Sequence, residues 1–244
     1  MKTLCLDFGN TLKKYACFTD GKIDRYGILE EPIEKSLSEV LSICKPQNAI
    51  LSSVIDHNKE IENLLKSSTD FIVLSTNLKL PFIPAVPKPE TIGPDRLALC
   101  AAAVTLFPEK NNLAIGLGSC ITFNFINKNN QFLGGSISPG LEMRFRALNS
   151  FTAKLPLVKL DWSFPLIGYD TKTNILSGVI LGMTCEIDGI IDEYKRKYGN
   201  FNVLLTGGDT GYFARHLKNK IFADPHLIFK GLYAISEHNE STKT

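Results

Sequence analysis

Residues 4–18 read LCLDFGNTLKKYACF and residues 113–127 read LAIGLGSCITFNFIN, and the two stretches share one pattern. Each is an apolar run, a turn of small and polar residues (DFGN at 7–10, GLGS at 116–119), and a second apolar run. Such a run, broken by a glycine-containing turn, reads as strand, tight turn and returning strand. Asp7 and Gly116, which open the two turns, lie 109 positions apart. Further strands and helices follow each, so the pattern predicts a duplicated α/β unit whose hairpins face each other across a cleft.

Working outward, Ile33, Leu37, Val40 and Leu41 have helical spacing over 31–43, and Pro32 suits a helix start. Residues 49–55 read as a strand, 58–67 as a helix built on Ile61, Leu64 and Leu65, and 71–75 as another strand. Pro81, Pro84, Pro87 and Pro89 make the next stretch extended. From Leu97 the run LALCAAAV predicts a buried helix. In the second half a strand is expected at 131–138 and helices at 141–153 and 178–198. The strand NVLLTGG, helices at 210–217 and 229–237, and a polar tail at 237–244 complete the chain.

A chain of 244 residues that is 44% hydrophobic and 21% charged has ordinary globular usage, which excludes wholesale disorder. Its net charge of +2 comes without a basic run, so nothing points to nucleic acid. No apolar stretch reads as a membrane span, and Asp7 interrupts the first one before a signal-peptide core could form. The chain reads as soluble and cytoplasmic. Six cysteines, none in a CxxC, read as free thiols packed among apolar neighbours. The four histidines show no metal-ligand spacing.

Three short motifs carry chemistry. In DFGNT (7–11) the turn can expose backbone N–H groups to phosphate oxygens, with the Asp7 carboxylate placed for Mg²⁺; a plain Asn-Gly hairpin explains the same residues. TGGD (206–209) between a strand and a helix lets a ligand approach the backbone, or simply caps the helix with Asp209 or Thr210. GPDR (93–96) opens the best helix, where Pro94 and Asp95 suit a first turn but Arg96 does not. An Asp–Arg pair there either caps the helix or joins a proton acceptor to an anion clamp.

Taken in order, these segments resemble the type III pantothenate kinases, relatives of the acetate and sugar kinases, Hsp70 and actin. The family's DxGNT appears as DFGNT, its GxDR as GPDR, and its GGxIxPG…L…TAxLP as GGSISPGLEMRFRALNSFTAKLP. TGGD and a terminal DPHLIFKGL also match, so the resemblance runs over 4–233. It implies two ribonuclease-H-like, actin-like domains, 1–110 and 111–244, with ATP in the central cleft. It also implies ATP-dependent phosphorylation of pantothenate to 4′-phosphopantothenate, the first step of coenzyme A biosynthesis. Position by position, Asp7, Phe8, Gly9, Asn10, Thr11, Leu12, Lys13 and Lys14 would line the ATP phosphates, with Asp7 near Mg²⁺. Ser119 stands at an ATP-contacting threonine position. Asp95 would be the general base; Gly93, Pro94, Asp95 and Arg96 would bind pantothenate, with Thr171 of GYDT.

The sequence departs from the family at three places. The second DxGTA motif is GLGSC, so Gly116 replaces a carboxylate that holds a monovalent cation, K⁺ or NH₄⁺. Asn124 replaces a second acidic position, and Val86 a tyrosine of the pantothenate pocket. The first two point to weak use of a monovalent cation, with Lys13 or Lys14 as a substitute charge. The family habit, together with Val179, Ile180, Met183, Ile187 and Ile190 on one helix, predicts a homodimer. Relatives named as Bvg accessory factor-type transcriptional activators supply an alternative, and another small-molecule kinase of the superfamily supplies a third.

Overall fold

Strand β1 (Lys2–Phe8) has Leu4, Cys5, Leu6 and Phe8 fully buried, the continuous apolar reading of a strand covered on both faces. It sits at the centre of a five-stranded sheet with β2 (Lys13–Thr19), β3 (Lys22–Ile28), β4 (Asn48–Ser53) and β5 (Asp70–Val73), in the order β3-β2-β1-β4-β5. The β1–β2 and β2–β3 pairs are antiparallel hairpins, whereas β1–β4 and β4–β5 are parallel. Parallel neighbours need crossovers. Helices α1 (Ile33–Cys44) and α2 (Lys59–Ser68) supply them, and bury Ile33, Leu37, Val40, Ile61 and Leu65 in one cluster with β1 and β4.

The computed structural model describes residues 1–240; the last four residues of the polar tail lie outside them, and 237–240 are helical. After β6 (Ile83–Pro84) and a 3₁₀ turn at Pro89–Thr91 comes α3 (Pro94–Leu106). A second sheet has the order β11-β10-β7-β8-β9-β6, with β7 (Asn112–Leu117), β8 (Cys120–Ile126), β9 (Gln131–Pro139), β10 (Asn202–Gly207) and β11 (Phe222–Ala223). Helices α4 (Leu141–Ser150), α5 (Thr171–Tyr198), α6 (Thr210–His216) and α7 (Leu227–Glu240) complete the element list.

Contacts divide the chain into two units. The first takes Met1–Asn112, Asn124–Gly134 and His226–Thr244; the second takes Leu113–Phe123 and Gly135–Pro225. The ranges differ from 1–110 and 111–244 for two physical reasons, both inside the first unit. The β8–β9 turn region pairs with β6 through Ile83↔Gln131 and Pro84↔Phe132. Helix α7 lies so close to α3 that a Cβ on Gly231 would strike the Ala98 carbonyl.

Most expected elements are present, with four differences. Helix α5 begins at Thr171 and not at 178, because Asp170 forms a capping box with Thr173. Helix α4 stops at Ser150, short of 153. The edge strand β3 is largely exposed and its polar sequence KIDRYGI gave no strand signal. Cys17 and Cys44 are joined in a disulfide, against the expectation of six free thiols. The inward side of β2 and the last turn of α1 bring their Cα atoms to 6.6 Å, within bridging range.

Helix α5 also corrects two expectations. Its 28 residues, with a mean hydropathy of 1.4 in the most apolar stretch, have the length and composition of a membrane span. Yet Val179, Ile180, Met183 and Ile187 are buried inside the chain's own fold and Ile190 is half-buried, so they offer no spare face to a second subunit.

The α3–α7 contact gives a stability prediction. Gly231→Ala should cost about 1–3 kcal/mol, since the methyl group meets backbone that cannot rotate away. Gly182→Ala in α5, where a Cβ meets nothing within 4 Å, should be neutral or stabilising by up to about 1 kcal/mol. Denaturant melts of the two variants check this, and equal stability would refute the tight contact.

Candidate active site

Asp7, next to the last residue of β1, is paired in register with Lys14 on β2 and Ser52 on β4. Burial pushes its carboxyl group up to about 6; Lys14 pulls it down, and the nearby Asp95 pushes it further up. The turn that follows is not uniform. Gly9 N–H donates to the Leu12 carbonyl at 3.0 Å, so that amide is spent on the turn itself. Asn10, Thr11 and Leu12 are exposed. Phe8 is a core side chain that meets the His57 ring edge-on at 5.8 Å, so only its backbone faces the turn. Lys13 Nζ is bonded to Glu31 at 2.8 Å, which leaves Lys14 as the lysine that acts on Asp7.

The GPDR segment opens α3, as its sequence suggests. Gly93 is the N-cap of α3, with Pro94, Asp95 and Arg96 in the first turn. The Asp95 carboxylate folds back over the helix start, so that a Cβ on residue 93 would sit 2.5 Å from its Oδ1. Burial raises the Asp95 carboxyl, while the Arg96 N–H, the Arg96 charge and its own N–H pull it back. It is thus a carboxylate at a helix start that is also largely withdrawn from solvent. Arg96 Nε donates to Asn124 Oδ1 at 2.6 Å, and its guanidinium lies 5.6 Å from the Phe132 ring centroid. Val86 borders β9 at Gly134. Asp7, Lys14, Asp95 and Arg96, with Val86, all belong to the first unit.

In the second unit three glycine turns meet through their backbones. Gly207, at φ +115°, presses on the Leu117 carbonyl, where no side chain would fit. Gly208 N–H donates to Leu117 O at 3.1 Å, and Gly140 N–H to Ser119 O at 3.0 Å. Gly118 and Gly208 remain exposed and Ser119 is half-buried, a surface of small residues that phosphates can approach. Asp209 occupies the N-cap of α6 but makes no capping bond, and burial raises its carboxyl. Sequence reasoning quoted this residue only as a cap; a carboxylate beside paired glycines was the available signal. Thr171 is the exposed first residue of α5, and Gly116 is a half-buried residue of β7.

Among the described residues no group of three or more His, Cys, Asp or Glu side chains gathers to hold a metal. That donor set still fits Mg²⁺ carried on a nucleotide, which needs only one or two carboxylates beside the phosphates, and Asp7 is a buried candidate. A charged monovalent-cation site fits poorly. Gly116 brings no side-chain oxygen, and Asn124 is neutral and turned to Arg96.

A family model described as type III pantothenate kinase matches residues 3–193. The chain belongs to that family. A type III pantothenate kinase of Cytophaga hutchinsonii is 41% identical over 239 residues, covering 97% of this chain and 99% of its own. That of Bacteroides fragilis strain YCH46 is 40% identical over 242 residues, covering 97% and 98%. Among solved structures, a conserved Baf family protein from Campylobacter jejuni, described as a transcriptional activator, is 25% identical with a TM-score of 0.62, covering 98% and 99%. A ROK family protein from Streptococcus pneumoniae, solved with sucrose, is 13% identical with a TM-score of 0.52 over 100% and 99%, which establishes a shared fold. The expected ribonuclease-H-like, actin-like architecture of type III pantothenate kinases is therefore present.

The Asp7 environment gives a pH prediction for the ligand-free protein. A carboxyl raised from 3.8 to about 6 adds its full stability below about pH 4 and loses it as pH rises through 6. Asp7→Asn, which cannot ionise, should therefore melt level with wild type at pH 4 and higher at pH 8. The gap should be several degrees, at roughly 1.4 kcal/mol per pH unit and roughly 2–4 °C per kcal/mol. Thermal melts at both pH values test it; equal melting at pH 8 would mean that Asp7 is not desolvated.

Proposed function

We propose that the protein transfers the γ-phosphoryl group of ATP to the 4′-hydroxyl of pantothenate, yielding 4′-phosphopantothenate and ADP. The observation that carries this reading is the Asp95–Arg96 pair at the start of α3, with Asp95 close enough to Asp7 to raise its carboxyl. Phosphoryl transfer asks for positioning and charge neutralisation more than for covalent chemistry. The exposed turn residues Asn10, Thr11 and Leu12 would face the ATP phosphates, with Lys14 supplying positive charge and Ser119 a hydroxyl. Bound Mg²⁺ would neutralise the phosphate oxygens, held through Asp7. Asp95 takes the 4′-hydroxyl proton as the new O–P bond forms and the bond to the ADP oxygen breaks. Desolvation strengthens Asp95 as a base, and Arg96 keeps it from being neutralised outright. Gly93, Pro94, Arg96, Val86 and Thr171 would bind pantothenate. The activator reading rests on the description of the Campylobacter jejuni structure at 25% identity, and it is less favoured because curated relatives at 39–41% identity carry the kinase name.

We further place the enzyme in the cytoplasm as a homodimer. Its dimer surface is the irregular segment 151–170 of the second unit in place of α5. Phe151, Leu166, Ile167 and Tyr169 are each at least 77% exposed, large apolar side chains that a partner surface would cover.

Two experiments test these readings. Asp95→Asn should lower turnover of pantothenate about 10²–10⁴-fold while leaving the melting profile folded. Retained turnover would reduce Asp95 to a helix cap. In light scattering the wild type should be dimeric, and Leu166→Glu/Ile167→Glu should shift it to monomer. An active wild-type monomer at assay concentration would sink the dimer.

A further inference from the structure

Strands β1 and β4 present two different faces. Leu4, Leu6, Phe8, Ala49 and Leu51 join the core cluster with α1 and α2. Alternation turns Thr3 and Asp7 of β1, and Ser52 of β4, to the other side. Phe18, paired in register with Thr3, stacks on Tyr233 of α7 at 4.5 Å, so α7 covers that side. The same side receives the charge of Asp95 from the first turn of α3.

Two hydroxyls on this face, Thr3 Oγ1 and Ser52 Oγ, are fully buried and have no hydrogen-bond partner among the described residues. A buried hydroxyl without a partner lowers stability, and native proteins keep few of them. These two stand at opposite ends of one parallel pair. Thr3 lies at the amino end, with Asn48 and Phe18 as register neighbours and no acid beside it. Ser52 lies at the carboxyl end, where open α/β sheets receive their ligands, and its register neighbour is Asp7. The Asp7 carboxyl is shifted by burial and by the charges of Lys14 and Asp95, with no hydrogen bond among the causes. A donor without an acceptor thus sits one strand spacing from an acid with acceptor capacity to spare.

We propose that Ser52 is a positioning residue whose hydroxyl donates to the Asp7 carboxylate when a Mg²⁺-bound nucleotide engages the carboxylate's other oxygen. This deepens the kinase reading above and rests on it. Carboxylates that hold a metal are themselves oriented by a hydrogen bond, and removing that outer partner typically weakens the metal complex about 10–100-fold. Ser52 is fully buried, so it acts through Asp7 and touches neither substrate. The hydroxyl is a burden in the ligand-free protein and an asset in the complex. Its removal should therefore move the two states in opposite directions.

The test compares Ser52→Ala with Thr3→Val, by thermal melts with and without Mg·ATP and by steady-state kinetics. Without ligand, both variants should melt at or above the wild type. Only Ser52→Ala should show a smaller rise in melting temperature with Mg·ATP, because weaker binding stabilises less. Its KM for Mg·ATP should rise about tenfold, while KM for pantothenate stays within about twofold. Thr3→Val should leave both KM values unchanged. A Ser52→Ala variant that fails to fold, or melts below the wild type, shows that the fold itself uses the hydroxyl and overturns the proposal. So does an unchanged KM for Mg·ATP, an equal rise in both KM values, or the same loss in Thr3→Val. A wild type inactive on pantothenate overturns the kinase reading itself, whereas an active wild type with any of those results overturns only the role of Ser52.

Discussion

A carboxylate buried at the end of a central strand is costly, and much of the first unit is arranged around the one at Asp7. Its own strand cannot solvate it, because Leu4, Cys5, Leu6 and Phe8 are sealed in the core. Lys14, directly across the β1–β2 hairpin, offsets part of the charge, while Asp95 adds to the cost. The two acids thus have a base each, Lys14 beside Asp7 and Arg96 beside Asp95, and burial still outweighs the help each receives.

The sequence made the hairpins legible because burial leaves a direct trace: β1 and β7 carry apolar runs, broken in β1 only near its end by Asp7, and both lead into glycine turns. Helix α3 was equally plain from its alanines, and Gly93-Pro94 marked its first turn. What stayed hidden was set by partners far away in the chain. Edge strand β3 carries no hydrophobic alternation, and the two residues of β6 are ordered only by β9. The α5 start was masked by polar residues whose capping box became visible only when Asp170 met Thr173. The Cys17–Cys44 pairing depends on a strand and a helix end meeting, which spacing alone does not reveal.

The candidate site divides in the same way. DFGNT, GPDR and TGGD were readable as motifs, yet their residues turned out to have separate tasks. Gly9 closes the turn, Lys13 is paired with Glu31, and Phe8 is core. The division of labour between Lys13 and Lys14 follows from strand alternation, since only Lys14 stands opposite Asp7. Asn124 was noticed only as a missing acid; its bond to Arg96 became visible only in the fold.

Helix α7, which packs through Gly231 onto α3, belongs to the unit that holds β1. During vectorial synthesis, the first hundred or so residues therefore leave the ribosome without the helix that covers one side of α3. The small-residue face at Ala98 and Ala102 must wait for a segment made more than a hundred residues later. The second unit has contacts enough of its own to form in the meantime. The order of completion thus runs against the order of translation: the half that carries Asp7 and Asp95 is begun first and closed last.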